Sequence, residues 1–208
     1  MKGLFITIEG PDGSGKTTVT SEVVKRLEGA GIDFIRTREP GGIEIAEQIR
    51  EVILNPQNVK MDAKTEALLY AASRRQHLVE KVIPALKEGK LVLCERFVDS
   101  SLAYQGAGRQ LGIEAVYQIN KFAIDEVMPD LTIFIDVAPE IGLSRINQNR
   151  EIKDRLDLEK ADFHNRVYQG YQAVKEMFKD RIVVVDGNNA LETVIEEVYT
   201  IIINQIKG

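Results

Sequence analysis

Apolar residues along this chain follow two patterns that alternate from one end to the other. Short, nearly continuous apolar runs are typical of strands that are buried on both faces of a sheet. Between them lie longer stretches in which apolar residues recur every three or four positions, as on one face of a helix. The runs that predict strands cover residues 4–8, 33–38, 91–95, 131–137 and 182–186.

Helical periodicity fills most of the sequence between these runs. Asp62 is a good N-cap for a long helix, and Gly89 ends that helix. The predicted helices cover residues 18–28, 43–54, 63–88, 100–106, 113–127, 162–179 and 191–206, with a further one that begins at Pro139. The apolar faces of the second and third of these helices include Ile45, Ile49, Val52, Ile53 and Leu68. Five apolar strands that alternate with helices predict an α/β fold, a parallel sheet covered by helices on both faces.

Residues 147–157 are dense in charge and poor in apolar side chains, so we expect an exposed, mobile segment there. The 208 residues contain no internal repeat and no linker. This indicates one domain, 1–208, with a short lid at about 145–157.

The segment between the first strand and the first helix fits the phosphate-binding pattern G-x-x-x-x-G-K-[ST]. Gly10, Gly15, Lys16 and Thr17 occupy its fixed positions. The glycines let the backbone curl so that successive N–H groups point at one anion, and the following helix adds its positive end. Lys16 then reaches the β- and γ-phosphates, and Thr17 offers a hydroxyl to Mg²⁺. The sequence therefore predicts a P-loop NTPase fold.

Composition narrows the classes of partner. Twenty-seven Lys and Arg against 32 Asp and Glu give a net charge of −5, which argues against broad binding to nucleic acids or anionic membranes. The single cysteine, Cys94, lies in an apolar run, which indicates a buried thiol without a disulfide, as in a reducing cytoplasm. The apolar run after Met1 is too short for a signal peptide, and no run approaches membrane-spanning length. We therefore expect a soluble, cytoplasmic protein.

Charged residues follow the predicted strands at the edge where parallel α/β sheets bind ligands. These residues are Arg38 and Glu39, Glu95 and Arg96, and Asp186 beside Gly187. An acidic residue in the position of Glu95 commonly holds Mg²⁺ in phosphate-loop enzymes. Guanidinium groups match phosphate geometry, so arginines are candidates for binding a second phosphate. The candidates are Arg38, Arg50, Arg74, Arg75, Arg96, Arg109, Arg145, Arg150 and Arg155.

The residues by themselves leave two kinds of acceptor open. A hydroxyl acceptor needs a carboxylate base, for which Glu39 and Glu95 are candidates, whereas a phosphate acceptor is already ionised and needs mainly arginines. The number of arginines and the basic segment 145–155 favour the phosphate. A GTP-dependent switch is disfavoured, because Asn120-Lys121 lacks the aspartate of a guanine-reading Asn-Lys-x-Asp. His77 and His164 have no second metal ligand at a suitable spacing and are interpreted as structural or surface residues.

Three segments resemble the thymidylate kinase family, and the similarity extends over nearly the whole chain. They are TREPGG at 37–42, AASRRQHL at 71–78 and ERFVDSSLAYQG at 95–106. The resemblance implies a kinase that uses ATP and Mg²⁺ to convert dTMP to dTDP and that usually forms homodimers. The alternative is a deoxynucleoside kinase or another nucleoside monophosphate kinase.

Applied position by position, the resemblance implies a role for each matching residue. Asp12 would bond the 3′-hydroxyl of the sugar, Tyr70 would stack on thymine, and Tyr104 would press on the place of a ribose 2′-hydroxyl. Arg74 would bond a thymine carbonyl, with Ser101 and Gln105 completing recognition of the base. The residues expected at the acceptor phosphate are Arg38, Arg50 and Arg96. Those expected to bind ATP are Gly10, Pro11, Asp12, Gly13, Ser14, Gly15, Lys16, Thr17, Thr18 and Arg145, and those expected at Mg²⁺ are Thr17 and Glu95.

The resemblance also implies where the remaining catalytic charge comes from. The P-loop has no arginine between Gly10 and Gly15, which is similar to the bacterial pattern, in which lid arginines serve the transferring phosphate. Of the two arginines in the charged segment, Arg150 and Arg155, we assign Arg155 to this role, beside Lys16 and Arg96. Glu95 stands where the family more often has aspartate, which leaves open whether it contacts Mg²⁺ directly or through water.

Overall fold

Five parallel strands form the centre of the computed structural model, which describes residues 3–149 and 154–208. The strands are β1 (Leu4–Glu9), β2 (Phe34–Arg38), β3 (Leu91–Glu95), β4 (Leu131–Asp136) and β5 (Ile182–Asp186). Their spatial order is β2-β3-β1-β4-β5, and every neighbouring pair is parallel. This confirms the predicted α/β fold with a five-stranded parallel sheet.

Helices connect the strands as the periodicity predicted, with boundaries that differ by a few residues. They are α1 (Lys16–Gly29), α2 (Glu44–Leu54), α3 (Ala63–His77), α4 (Ile83–Lys87), α5 (Val98–Ser101), α6 (Ile113–Ile124), α7 (Pro139–Asn149), α8 (Ala161–Met177) and α9 (Leu191–Lys207). The side chain of Asp62 caps α3, since it accepts hydrogen bonds from the backbone N–H groups of Lys64 and Thr65 at 3.0 and 3.1 Å.

Two π-helical segments, Leu78–Val82 and Leu102–Gly108, interrupt what the periodicity predicted as ordinary helix. The first follows α3, so the single long helix expected up to Gly89 consists of α3, a widened turn and α4. Pro84 lies just beyond that turn and has no backbone N–H, which removes one bond of the regular helical ladder. The second segment carries Tyr104 and Gln105 toward the edge of the sheet.

Each face of the sheet has its own apolar core. One face packs against α1 and α9, through Ile6, Ile8, Val19, Val23, Leu93, Ile133, Val194 and Val198. The other face packs against α4, α6, α8 and the π-helical segments, through Phe5, Leu78, Val82, Val92, Cys94, Phe97, Leu102, Val116 and Val174. Cys94 is fully buried, as predicted. With both faces covered, polar ligands can approach only at an edge of the sheet.

Exposure differs from the sequence pattern in two places. Ile45, Val52 and Leu68 lie on apolar helix faces, yet each is about half exposed, at 50%, 47% and 56%. Conversely, Arg155 and Leu156 belong to the segment predicted to be exposed, and each is only 7% exposed. Leu156 is buried because it packs in a cluster with Tyr104, Phe163 and Tyr171. Periodicity shows that a face is apolar but not which neighbour covers it. Within residues 3–149 and 154–208, no helix is both long and apolar enough to cross a membrane.

Candidate active site

A cavity of about 840 Å³ opens at the carboxyl ends of β1, β2 and β3. The register places Arg38 of β2 beside Glu95 of β3, and Glu95 beside Ile8 of β1, so the residues that follow these strands converge. The chain leaves β1 at the point where the order of the strands reverses, which is where ligands bind in open α/β sheets. The cavity is lined by the P-loop, the ends of β2 and β3, part of α3 and, further along the chain, Arg145, Ile146, Asp154 and Leu156.

The P-loop curls tightly around the side chain of its own lysine. Lys16 Nζ donates to the carbonyl oxygens of Gly10 and Pro11 at 2.9 and 2.8 Å and lies 3.2 Å from Ser14 Oγ. Burial, followed by the nearby charge of Arg96, lowers the pKa of Lys16 to about 7. An anion beside this amine offsets both effects, so the loop is arranged for a phosphate.

A close approach of two chain segments requires glycine at position 13 of the loop. Gly13 has a φ of 75°, and a Cβ there would lie 2.1 Å from the carbonyl oxygen of Gly142 in α7. A larger residue would therefore push the phosphate loop and α7 apart. Arg145 on the same helix lines the cavity and donates to the carbonyl oxygens of Gly13 and Gly187 at 3.5 and 3.3 Å. The predicted ATP residue Arg145 thus lies directly against the P-loop.

Thr17 and Glu95 face each other in the cavity. Thr17 Oγ1 donates to Glu95 Oε1 at 2.7 Å, and both side chains contribute to the cavity wall. Residues 3–149 and 154–208 contain no cluster of three or more His, Cys, Asp or Glu that could hold a metal. Mg²⁺ in nucleotide enzymes needs no such cluster, because phosphates and water supply most of its oxygen ligands. One hydroxyl and one carboxylate beside the P-loop therefore fit this ion.

Arg96 occupies the centre of the site with a strained backbone. Its φ is 67°, in the left-handed region, which costs a non-glycine residue about 1–3 kcal/mol. Arg96 Nη2 pairs with Asp12 Oδ1 at 2.5 Å, and Asp12 Oδ2 accepts from the hydroxyl of Tyr104 at 2.7 Å. Arg96 also donates to Gly10 O (3.2 Å), Ser100 Oγ (3.1 Å), Tyr171 Oη (3.2 Å) and Tyr104 Oη (3.3 Å). These bonds hold the guanidinium against the mouth of the P-loop.

Glu9 lies buried beneath this arginine, and sequence reasoning did not assign it a role. Its carboxylate accepts from the N–H of Phe97 at 2.6 Å, from Ser100 Oγ at 2.6 Å and from the hydroxyl of Tyr171 at 3.0 Å. Burial, and next the charge of Asp99, raise the pKa of Glu9 above its usual value. The sequence did contain a signal for such a role, because Glu9 is a charged residue at the end of an apolar central strand, directly before the P-loop. No signal indicated Tyr171, which lies 162 residues further along the chain.

Two further arginines form a positive wall opposite the P-loop. Arg38 and Arg50 both line the cavity and both donate to the carbonyl oxygen of Pro40, at 2.8 and 3.0 Å. Arg38 also pairs with Glu47 at 2.8 Å. Burial, together with the neighbouring charge of Arg38, lowers the pKa of Arg50. Two adjacent guanidinium groups at a cavity wall are suited to an anionic ligand.

Arg74 is fully buried at the inner end of the cavity. Its Nε donates to Glu39 at 2.7 Å, and its Nη1 donates to Ser101 at 3.0 Å and to Asn120. Glu39 is also bonded to His77 Nδ1 at 2.9 Å. His77 is therefore buried and structural rather than a surface residue. Glu39 holds Arg74 in one orientation, with part of its guanidinium at the cavity wall.

The remaining predicted substrate residues surround this inner end. Tyr70 is half-buried and lines the cavity, as does Tyr104. Gln105 lines it too; its Nε2 donates to Glu66 at 2.8 Å, and its Oε1 has no partner within 3–149 and 154–208. Ser101 does not line the cavity and reaches it only through Arg74.

Arg155, which the sequence assigns to the transferring phosphate, is bonded to groups outside the cavity wall. It does not line the cavity; its Nε donates to the carbonyl oxygen of Ile53 at 2.8 Å and its Nη2 to Glu66 at 2.5 Å. In this conformation it anchors its own segment to α2 and α3. Sequence reasoning could not foresee this bond, because Glu66 lies 89 residues away. Arg150 falls outside the residues that the structure describes.

The P-loop and a group of arginines thus line one cavity, and comparison with known proteins identifies the family of the chain. The sequence model of the thymidylate kinase family matches residues 8–198. The chain is 59% identical to a thymidylate kinase of Clostridium novyi over 95% of this chain and 97% of that protein. It is 58% identical to a thymidylate kinase of Bacillus velezensis (100% and 98%) and 53% identical to one of a Geobacillus species (100% of both). The chain belongs to the thymidylate kinase family.

Proposed function

We propose that this chain transfers the γ-phosphoryl group of ATP to the phosphate of dTMP, giving dTDP and ADP. The observation that carries the proposal is the pairing of two anion sites in one cavity, the P-loop with Lys16 on one side and Arg38, Arg50 and Arg96 on the other. An oxygen of the acceptor phosphate attacks the γ-phosphorus, and the bond to the β–γ bridging oxygen breaks, so ADP leaves. The nucleophile is already ionised, so positioning and charge neutralisation suffice.

Lys16, Thr17 and Glu95 serve the donor in this proposal. Lys16 exchanges its bonds with the loop carbonyls for bonds to the β- and γ-phosphates. Thr17 and Glu95 would hold Mg²⁺, which neutralises charge on the phosphates of ATP. The 2.7 Å contact between the two side chains supports a shared role. Arg145 closes the donor side from α7.

Arg96 and Asp12 serve the acceptor. Arg96 neutralises charge between the two phosphates, because its guanidinium lies at the mouth of the P-loop. Asp12 accepts from Arg96 and Tyr104 and still offers its carboxylate to the cavity, which supports a bond to the sugar 3′-hydroxyl. The hydroxyl of Tyr104 donates to this carboxylate, so the ring of Tyr104 is near the proposed sugar site and can exclude a 2′-hydroxyl. Arg38 and Arg50 hold the acceptor phosphate.

Thymine is proposed to lie at the inner end of the cavity. Tyr70 presents an aromatic face there, and Arg74 presents donors for a carbonyl oxygen. Ser101 orients Arg74 rather than touching the base, since it is bonded to Nη1 of that arginine. Gln105 offers its unpartnered amide oxygen to a ring N–H.

For Arg155 the structure supports an anchoring role in place of the one expected. Its two bonds, to Ile53 and to Glu66, fix the end of the predicted lid segment 145–157. Contact with the transferring phosphate would require both bonds to break and a buried carboxylate to lose a charged partner, which is costly.

We also propose that two copies of the chain associate through α2, α3 and α6. These neighbouring helices carry exposed apolar side chains, namely Ile45, Val52, Leu68 and Phe122, the last 91% exposed. Burying such a surface is favourable, and the simplest partner for it is a second copy of the chain. Analytical ultracentrifugation of the wild type and of Phe122→Asp tests this: we expect a dimer that dissociates in the variant, and a monomeric wild type contradicts it.

A hydroxyl acceptor is less well supported by the geometry. Of the two possible bases, Glu39 is buried between Arg74 and His77, and Glu95 accepts from Thr17. Neither carboxylate is therefore placed as a base for a nucleoside 5′-hydroxyl.

The deciding experiment is ADP release from Mg²⁺ and ATP in the presence of different acceptors. The acceptors are dTMP, dUMP, UMP, dCMP, AMP, GMP and thymidine. We expect a strong preference for dTMP. Preference for thymidine would make the acceptor a hydroxyl, and no stimulation by any acceptor would overturn the kinase assignment.

A further inference from the structure

One buried hydroxyl contacts the P-loop, Glu9 and the central arginine at once. Tyr171 on α8 is 1% exposed, and its oxygen lies 3.2 Å from Arg96 Nη1, 3.0 Å from Glu9 Oε2, 2.9 Å from Ser100 Oγ and 3.2 Å from the carbonyl oxygen of Gly10. Its ring packs against Phe134 and Tyr104. The phenol is therefore held in place by its ring, while its hydroxyl lies among polar groups of the active site.

The chemistry of these partners assigns the direction of each bond. Arg96 only donates, whereas the carboxylate of Glu9 and the carbonyl of Gly10 only accept. A hydroxyl can accept from the first and donate to one of the others, which a phenylalanine or a second carboxylate cannot do. Burial, followed by the charge of Glu9, raises the pKa of Tyr171 well above its usual value, so the proton stays available.

Glu9 and Arg96 have opposite charges, yet no hydrogen bond joins them directly within residues 3–149 and 154–208. The hydroxyls of Tyr171 and Ser100 lie between them, and both contact the same two groups. The buried carboxylate is itself fixed by the N–H groups of Phe97 and Ser100 at 2.6 and 3.3 Å. The carboxylate of Glu9 is therefore held in a fixed position next to Arg96, whose backbone is strained.

We propose that Tyr171 is a positioning residue for Arg96, which it holds in the geometry needed at the transferring phosphate by bridging it to Glu9. The inference rests on the proposed function, because it assumes that Arg96 acts on the phosphates. Arg96 has a left-handed backbone and a long side chain, so several bonds are needed to keep it in one conformation. Asp12 and Tyr104 hold Nη2, and the bridge holds Nη1.

The test is a double-mutant cycle of Tyr171→Phe with Arg96→Lys, measured as kcat and KM for dTMP. We expect Tyr171→Phe to lower kcat about tenfold or more and to leave the Kd for ATP within about threefold, since the P-loop keeps its N–H groups. In the Arg96→Lys background the same substitution should change kcat less than about twofold, because a residue that acts through Arg96 has no further effect once Arg96 is replaced.

A matched control and a second variant separate positioning from general damage to the fold. Tyr168 lies on the same helix, but its hydroxyl is bonded to Asp136 rather than to a group of the active site. The control variant Tyr168→Phe should therefore change kcat less than about twofold. Ser100→Ala removes the parallel bridge and should show the same dependence on Arg96. Additive effects in the cycle, or an unchanged kcat in Tyr171→Phe, overturn the inference. A wild type that does not phosphorylate dTMP at all overturns the proposed function instead.

Discussion

The guanidinium of Arg155 donates to Oε2 of Glu66 across 2.5 Å, and both groups are buried. The same carboxylate accepts from Gln105 and Arg109, so one anion joins the segment that contains Arg155 to the wall of the cavity. Tyr70, which also lines the cavity, lies on the same helix, one turn after Glu66. The position of Arg155 and the shape of this part of the cavity therefore depend on a common contact.

The stability of the protein should depend on pH through Glu66. Burial by itself raises the pKa of this carboxyl, but Arg109, Gln105 and Arg155 hold it below its usual 4.5. A carboxyl with a lowered pKa in the folded state contributes stability above its unfolded pKa, and this contribution is lost as pH falls through the folded value. We expect the free energy of unfolding of the wild type to fall more steeply than that of Glu66→Gln between about pH 5 and pH 3. Urea unfolding at several pH values measures both slopes.

Glu197→Gln is the matched control for this experiment, because it removes an exposed carboxylate on α9. Its unfolding free energy should follow the wild type at every pH. Equal slopes for the wild type and Glu66→Gln would show that the buried cluster is not ionised in the way that its contacts indicate.

Arg96→Ala should reduce turnover far more than stability. On the proposed function the variant loses the charge at the transferring phosphate, and removal of one such preorganised donor typically lowers kcat by about 10²–10³. Alanine at a φ of 67° is as strained as arginine, so any change in stability comes from the lost side-chain bonds. Steady-state kinetics and thermal unfolding of the same samples measure the two effects. If activity fell only as much as the folded fraction, Arg96 would be structural.

Arg155→Gln should reduce stability more than turnover, the reverse of what is expected for Arg96→Ala. The substitution leaves Arg109 as the charged partner of Glu66, so the cost should be smaller than the roughly 3–5 kcal/mol of leaving a buried charge wholly unpaired. Because Arg155 does not line the cavity, we expect kcat of the folded enzyme to fall less than about tenfold, while the melting temperature falls clearly. A loss of turnover as large as that of Arg96→Ala, without a loss of stability, would restore Arg155 to the transferring phosphate.

Glu95→Gln should raise the Mg²⁺ concentration needed for half-maximal activity. The amide keeps the size of the side chain and a bond to Thr17, but it lacks the charge that favours a hard cation. We expect a shift of about tenfold, in line with the loss of other groups that support a metal site. Activity is measured against Mg²⁺ at fixed ATP, with Glu88→Gln, distant on the surface, as the control. An unchanged requirement would place the ion away from Glu95.

Two variants of Tyr104 should distinguish the contribution of its ring from that of its hydroxyl. Tyr104→Phe loses the 2.7 Å bond to Asp12 but keeps the ring that packs against Phe163 and Tyr171. We expect it to bind dTMP less well while still rejecting the ribonucleotide. Tyr104→Ala should lower the preference for dTMP over ribo-TMP about tenfold, a usual size for steric discrimination of one small group. Competition assays with both nucleotides measure the ratio, and an unchanged ratio in Tyr104→Ala would assign sugar selection elsewhere.

Local chemistry made several parts of this protein predictable from its sequence. The five strands are apolar because they are buried on both faces, so their runs show directly in the sequence. The P-loop is a contiguous motif, so Gly10, Lys16 and Thr17 could be assigned without any tertiary contact. Asp62 was recognisable as a cap because its partners lie two and three residues away. The order of strands and helices then placed Arg38, Glu95 and Arg96 at one edge of the sheet.

Only the tertiary structure decided which distant residues hold those groups in place. The bond between Arg155 and Glu66, the hydroxyl of Tyr171 beside Arg96 and the exposed faces at Ile45 and Leu68 all depend on contacts between segments far apart in the chain. A charged or apolar residue has the same appearance in the sequence whether it is solvated, paired or left uncovered. Its partner is chosen by packing across the whole fold, which no local pattern contains.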